Sequence, residues 1–181
     1  MRALALLLAL TASPAFAIGL EVDVVGEANG TIVIDLFEDV APNHVAQIVG
    51  LASEGGYDGV AFHRVIEGFM AQTGDVEFGV AGADAAMAGT GGSERSNLAA
   101  EFSDRSFERG TVGMARSQDP DSANSQFFIM FADAEHLNGQ YTVVGQVTSG
   151  LDVLDAVKRG EGANGGVEGE PDRMVDVRVV D

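Results

Sequence analysis

The stretch Phe62–Asp75, FHRVIEGFMAQTGD, decides how the chain folds. It divides into two short apolar runs around Glu67-Gly68, the pattern of two strands joined by a tight turn. Arg64 and Gln72 break that pattern. They sit inside the apolar runs, where a plain strand carries Val or Ile. Pleat alternation puts Arg64 on one face with Phe62 and Ile66. If Arg64 points away from the core, those neighbours point away too, and they must be covered or line a groove. An apolar groove around one guanidinium suits an apolar ligand with a carbonyl to bind. An arginine lying along apolar surface and pairing with an acid gives the same pattern. The stretch alone leaves both readings open.

The flanking sequence supplies more strands. GLEVDVVGEANGTIVIDLF, Gly19–Phe37, alternates on both sides of Glu27-Ala28-Asn29-Gly30 and reads as a hairpin. That turn also accounts for the sequon Asn29-Gly30-Thr31. Further strands are expected at Ala61–Val65, Phe69–Thr73, Thr111–Ala115, Phe127–Phe131, Val143–Thr148 and Met174–Val180. A helix starts at Pro42, carries Val45, Ile48, Val49 and Ala52 at helical spacing, and stops at Gly55-Gly56. A second, short helix covers Gly150–Val157, with Leu151, Leu154 and Val157 on its buried side. Two long loops remain, Val76–Arg109 and the glycine-rich Gly160–Asp172; loops of that length are functional or flexible. The expected fold is mainly β: one closed antiparallel barrel with the helices at its ends, closure removing the exposed edges.

The chain has 181 residues, enough for one domain with a real core, and no linker divides it. Its formal net charge is −18, and Lys158 is its only lysine. Such a surface repels phosphate backbones, so nucleic acid is not an expected partner. With no cysteine, disulfides, thiol catalysis and cysteine zinc sites are excluded. The first 17 residues read as a secretory signal: a basic Arg2, an apolar run, and Ala15-Phe16-Ala17 as the cleavage pattern. The run is too short to span a bilayer, which takes about 20 residues. The expected mature chain is 18–181, one domain, periplasmic or secreted, with no stable membrane insertion.

Most catalytic chemistries lack support. The three histidines, His44, His63 and His136, have no metal-ligand spacing. His44 is expected on the helix surface, and His63 as a hydrogen-bonded structural residue. Gly89-Thr90-Gly91-Gly92 lacks the lysine and the strand-to-helix setting of a phosphate cradle and reads as a turn. No metal and no cofactor is expected.

The motifs FHRVIEGFMAQTGD, GTGG, GTVGMAR, NSQFFIMF and LNGQYTVVGQV follow one another in an order that closely resembles the cyclophilin-type peptidyl-prolyl cis-trans isomerases. The resemblance covers nearly all of the expected mature chain and is nearest the exported bacterial branch. It implies an eight-stranded closed antiparallel β-barrel capped by two α-helices, with a proline-binding groove on its outer face. It implies Arg64 as the catalytic arginine and Phe69, Met70, Phe128 and Leu137 as the proline pocket. Gln72 and Gln126 match the polar residues around that pocket, and Ala115 and Arg116 the stretch whose backbone pairs with the substrate chain. His136 stands where eukaryotic members carry tryptophan, and Tyr141 where they often carry histidine; both are substrate-site positions. The tryptophan is associated with tight cyclosporin binding, so weak sensitivity is expected. The implied partners are proline-containing segments of client polypeptides, bound by a monomer. A non-catalytic chaperone or scaffold that grips the same segments is the alternative.

Overall fold

The computed structural model describes residues 18–181; the signal sequence read at 1–17 lies outside the described residues. Nine strands form one antiparallel sheet: β1 (Gly19–Val25), β2 (Gly30–Leu36), β3 (Val60–Ala61), β4 (Arg64–Ile66), β5 (Met70–Thr73), β6 (Thr111–Met114), β7 (Phe127–Met130), β8 (Val143–Ser149) and β9 (Arg173–Val180). Their order is β3-β9-β1-β2-β8-β6-β7-β5-β4. Two helices, α1 (Pro42–Ser53) and α2 (Leu151–Ala156), complete the framework. Among the described residues no helix is long and apolar enough to cross a membrane.

The two edge strands, β3 and β4, are separated in sequence only by Phe62 and His63. Laid flat, nine strands about 4.8 Å apart would hold their edges about 38 Å apart. Three residues of chain reach about 10 Å. The sheet must therefore curl until its ends meet. The expectation of eight strands in a closed barrel is corrected here. The single strand expected at Ala61–Val65 is two, and the ends of the sheet are joined by the chain, not by a ladder. Thr73 Oγ1 donates to the Ala61 carbonyl at 2.9 Å across this seam.

The break also corrects the facing of Phe62. Phe62 is fully buried in the interior cluster, with Val65, whereas Arg64 and Ile66 are half-buried and Ile66 packs on the outer cluster. Phe62 and Arg64 lie on opposite sides because the kink at Phe62-His63 interrupts the pleat. Along β7 the alternation is regular: Phe127 and Ile129 enter the interior, Phe128 and Met130 the outer cluster.

The interior cluster joins Leu20, Ile32, Ile34, Val112, Phe127 and Ile129 of the sheet to Val45 and Ile48 of α1 and Leu154 of α2. The outer cluster consists of Met70, Phe107, Phe128, Met130, Ala134, Leu137 and Val143. It exists because the segments around Phe107 and Ala134–Leu137 fold over β5, β6 and β7. Ala134 N donates to the Phe107 carbonyl at 2.8 Å, which ties these segments together.

Helix α1 has no capping side chain at Ala41. Instead the Glu101 carboxylate accepts from the backbone N–H groups of Asn43 and His44, from Asn43 Nδ2 at 2.7 Å, and pairs with His44 Nδ1 at 2.6 Å. His44 is fully buried, not on the helix surface as expected. The apolar spacing of α1 leaves His44 on the sheet-facing side, where Glu101 meets its ring.

Candidate active site

The outer cluster surrounds a cavity of about 160 Å³. Its lining is Arg64, Phe69, Met70, Gln72, Ala115, Arg116, Phe128, Leu137 and Tyr141. Of the residues named from the sequence, only Gln126 and His136 lie outside this lining. Gln126 faces an adjoining polar basin of about 540 Å³, between Gly89–Ser93 and Ser122–Gln126, that shares Gln72, Ala115 and Arg116 with the smaller cavity. His136 is exposed and stacks on the outside of Phe69, ring centres 5.8 Å apart and planes 25° apart.

Strand register brings the polar residues together. Arg64 is directly opposite Gln72 in the β4–β5 pair, and Gln72 is opposite Phe128 in the β5–β7 pair. Arg64 Nη1 donates to Gln72 Oε1 at 3.0 Å and touches Met70 Sδ at 3.8 Å. Gln72 Nε2 donates to Gln126 Oε1 at 2.9 Å, and Gln126 Nε2 to the Gly91 carbonyl at 2.8 Å. The relay ends at Asp75, a fully buried carboxylate that accepts from the N–H groups of Glu77, Phe78, Gly89 and Gly91 and so fixes the loop.

Arg64 Nε donates to the main-chain carbonyl of Asn164 at 2.9 Å. Among the described residues no acceptor meets Nη2, and no carboxylate pairs with the guanidinium. Burial lowers the pKa of Arg64, but from a starting value so high that it stays charged. The surface-packing reading, an arginine paired with an acid, does not describe it.

The apolar floor is built by aromatic packing. Phe128 stacks on Phe107 at 5.7 Å and meets the edge of Tyr141 at 5.8 Å. Gly113 allows this: a Cβ there would lie 2.6 Å from Phe107 and 2.7 Å from Phe128. Tyr141 is capped in turn by the Arg116 guanidinium, 4.4 Å above its ring. Arg116 also donates to the carbonyls of Ser117 and Gln140, so its side chain builds the wall. Its own main-chain N–H and C=O have no protein partner among the described residues.

His63 lies behind Gly89 with neither ring nitrogen hydrogen-bonded, which corrects its expected role as a bonded residue. Burial pushes its pKa below the usual imidazole value, so it is neutral at neutral pH. The sequence reading missed Asn164, Gly91 and Phe107. The first two act through carbonyl oxygens, which carry no side-chain signature. Phe107 sits in a long loop with no periodicity to place it.

The family profile described as cyclophilin type peptidyl-prolyl cis-trans isomerase/CLD matches residues 21–179. A probable peptidyl-prolyl cis-trans isomerase of Brucella suis is 60% identical over 149 residues, covering 81% of this chain and 76% of the relative. A peptidyl-prolyl cis-trans isomerase of Helicobacter pylori is 42% identical over 135 residues, covering 73% and 77%. The crystal structure of a cyclophilin from Hirschia baltica superposes with a TM-score of 0.71 at 27% identity, over 88% of this chain and 73% of that one. A cyclophilin of Cryptosporidium parvum, crystallised in the presence of the dipeptide Ala-Pro, gives 0.74 at 23% identity over 90% and 99% and shares the fold. The chain belongs to the cyclophilin-type peptidyl-prolyl cis-trans isomerases, enzymes that turn the peptide bond before proline.

Proposed function

We propose that the cavity beside Arg64 holds the proline ring of an extended client segment, and that Arg64 accelerates rotation about the preceding peptide bond. The unpaired Nη2 of a charged guanidinium, at the rim of a cavity floored by Phe69, Met70, Phe128 and Leu137, carries this reading.

Rotation about an X-Pro bond faces about 18–20 kcal/mol because resonance resists twisting. No bond breaks, so neither base nor nucleophile is needed. In the twisted state the prolyl nitrogen regains a lone pair and becomes an acceptor. A donor fixed at that nitrogen bonds the twisted state and hardly the planar one, which is differential stabilisation of the transition state. Phe69, Met70, Phe128 and Leu137 would hold the ring while the preceding carbonyl turns. The unpaired main-chain groups of Arg116 would pair with the client backbone, and Gln72 and Gln126 keep the donor in place. The Ala-Pro dipeptide named for the Cryptosporidium relative agrees with a ligand of this class.

The clients we propose are exported proteins, in the periplasm or outside the cell, on the pattern Ala15-Phe16-Ala17. The test separates turning from holding. The chain and its Arg64→Ala variant are compared for turnover of Ala-Pro peptides and for suppression of client aggregation. Loss of turnover with retained suppression supports the catalytic reading. Equal turnover in both would leave only a binding module.

A further inference from the structure

The glycine-rich segment after α2 packs directly on the strand that carries Arg64. As an edge strand, β4 pairs with β5 on one side only. Its other side is occupied by residues 160–167. Gly160 N donates to the Val65 carbonyl at 2.9 Å, Val65 N to the Gly165 carbonyl at 2.7 Å, and Val167 N to the His63 carbonyl at 3.0 Å. Glu161 N closes the turn onto the Gly166 carbonyl at 2.9 Å. From the tip of this turn the Asn164 carbonyl accepts from Arg64 Nε.

We infer that the turn 160–167 is a positioning element that aims the Arg64 guanidinium; this rests on the catalytic reading of Arg64 above. The guanidinium is a planar fork. Held at Nη1 by Gln72 alone, it can swing about that contact. Held at Nε by Asn164 as well, its plane and the direction of Nη2 are both set. The two anchors are neutral oxygens, so they orient the cation without neutralising it, in a chain whose 28 acidic residues offer many alternatives. Glycine is required where the turn meets β4. A Cβ on Gly165 would lie 2.4 Å from the Ile66 side chain and 3.0 Å from the Val65 carbonyl oxygen. One on Gly160 would lie 1.9 Å from the Gly165 carbonyl oxygen. Gly162 shares the left-handed conformation of Gly165, φ +65° against +66°, yet a Cβ there meets nothing within 4 Å.

That contrast supplies the experiment. Gly165→Ala and Gly162→Ala carry the same backbone strain, and only the first lifts the turn from β4. Each is measured with Arg64 intact and with Arg64→Ala, for kcat and KM on an Ala-Pro peptide. With Arg64 intact, Gly165→Ala is expected to lower kcat about tenfold with KM little changed, the scale of a misplaced catalytic group, and Gly162→Ala to stay within about twofold of wild type. With Arg64→Ala, Gly165→Ala is expected to have no further effect. The ¹⁵N signal of Arg64 Nε–H should exchange faster with water in Gly165→Ala than in wild type. If Gly165→Ala does not fold by near-ultraviolet circular dichroism, Gly160→Ala takes its place. If Arg64→Ala alone keeps wild-type turnover, the catalytic reading fails. If Arg64→Ala lowers turnover to a measurable residual level but the turn variant keeps wild-type kcat, loses the same factor in both backgrounds, or folds at neither glycine, the positioning role is overturned.

Discussion

Arg64 and Gln72 face each other across the β4–β5 pair, and the guanidinium donates to the amide oxygen at 3.0 Å. This pair converts two anomalies in apolar strands into one unit. Gln72→Ala removes two hydrogen bonds, one to Gln126 and one from the charged Arg64, the latter a contact of about 1.5–3 kcal/mol. Part of that stabilisation falls on the transition state, at about 1.4 kcal/mol per decade of rate. The expected result is a roughly tenfold lower kcat/KM with a melting temperature lower by a few degrees, about 2–4 °C per kcal/mol lost, read by a protease-coupled peptide assay and by calorimetry.

Phe128 packs between Phe107 and Tyr141 and floors the cavity proposed to hold the proline ring. Phe128→Ala opens the floor between Phe107 and Tyr141 and should cost about 3–5 kcal/mol of stability. In the variant that remains folded at low temperature, KM should rise more than kcat falls, because the ring site is lost and Arg64 is not. Urea titration and steady-state kinetics check the two parts separately.

Turnover should not change between about pH 6.5 and 9, the range in which histidine and cysteine chemistry usually shows. Arg64 stays charged although burial lowers its pKa, and burial holds His63 neutral there. A bell-shaped profile of kcat/KM in that range would reveal acid–base catalysis and contradict a mechanism that rests on the charged Arg64.

Acid should release the clasp on α1. Burial acts to raise the pKa of Glu101, and its bonds from His44 and Asn43 outweigh it, so the value lies below the ordinary 4.5. A carboxylate with a depressed folded-state pKa contributes stability that is complete above its unfolded value and lost as pH falls through the folded one. Glu101→Gln should lose about 1 kcal/mol at pH 7, the scale of a helix cap. The gap to wild type should narrow progressively as pH falls below the ordinary 4.5, as read from denaturation curves across pH.

Cyclosporin should inhibit weakly. His136 stands at the position where the resemblance implies a tryptophan for tight binding, and it stacks on Phe69 outside the cavity lining. His136→Trp should tighten inhibition and leave turnover close to wild type, as shown by paired inhibition curves.

The helices and the strand positions were legible because apolar spacing and glycine punctuation act locally. The site was legible for a related reason: Arg64, Gln72, Gln126 and Phe128 break or punctuate local patterns, and their motifs resemble a family. The kink at Phe62-His63 was not legible. Both sides of it are apolar, so a one-residue change of facing leaves no mark on hydropathy. The burial of His44 depends on Glu101, 57 residues away in a loop without periodicity. Asn164 reaches Arg64 through a carbonyl that every residue has, and its identity could not announce the contact.

The central claim is that Arg64 turns the bond and does not merely bind the chain. Its most direct test is kcat/KM of folded Arg64→Ala and Arg64→Lys on an Ala-Pro peptide. Both should fall by about a hundredfold or more, the usual cost of removing a preorganised donor. Lysine should not rescue, because a point charge cannot hold the anchors at Gln72 and Asn164 while donating to the prolyl nitrogen. Turnover of Arg64→Ala within about threefold of wild type, a difference below 1 kcal/mol, would contradict it.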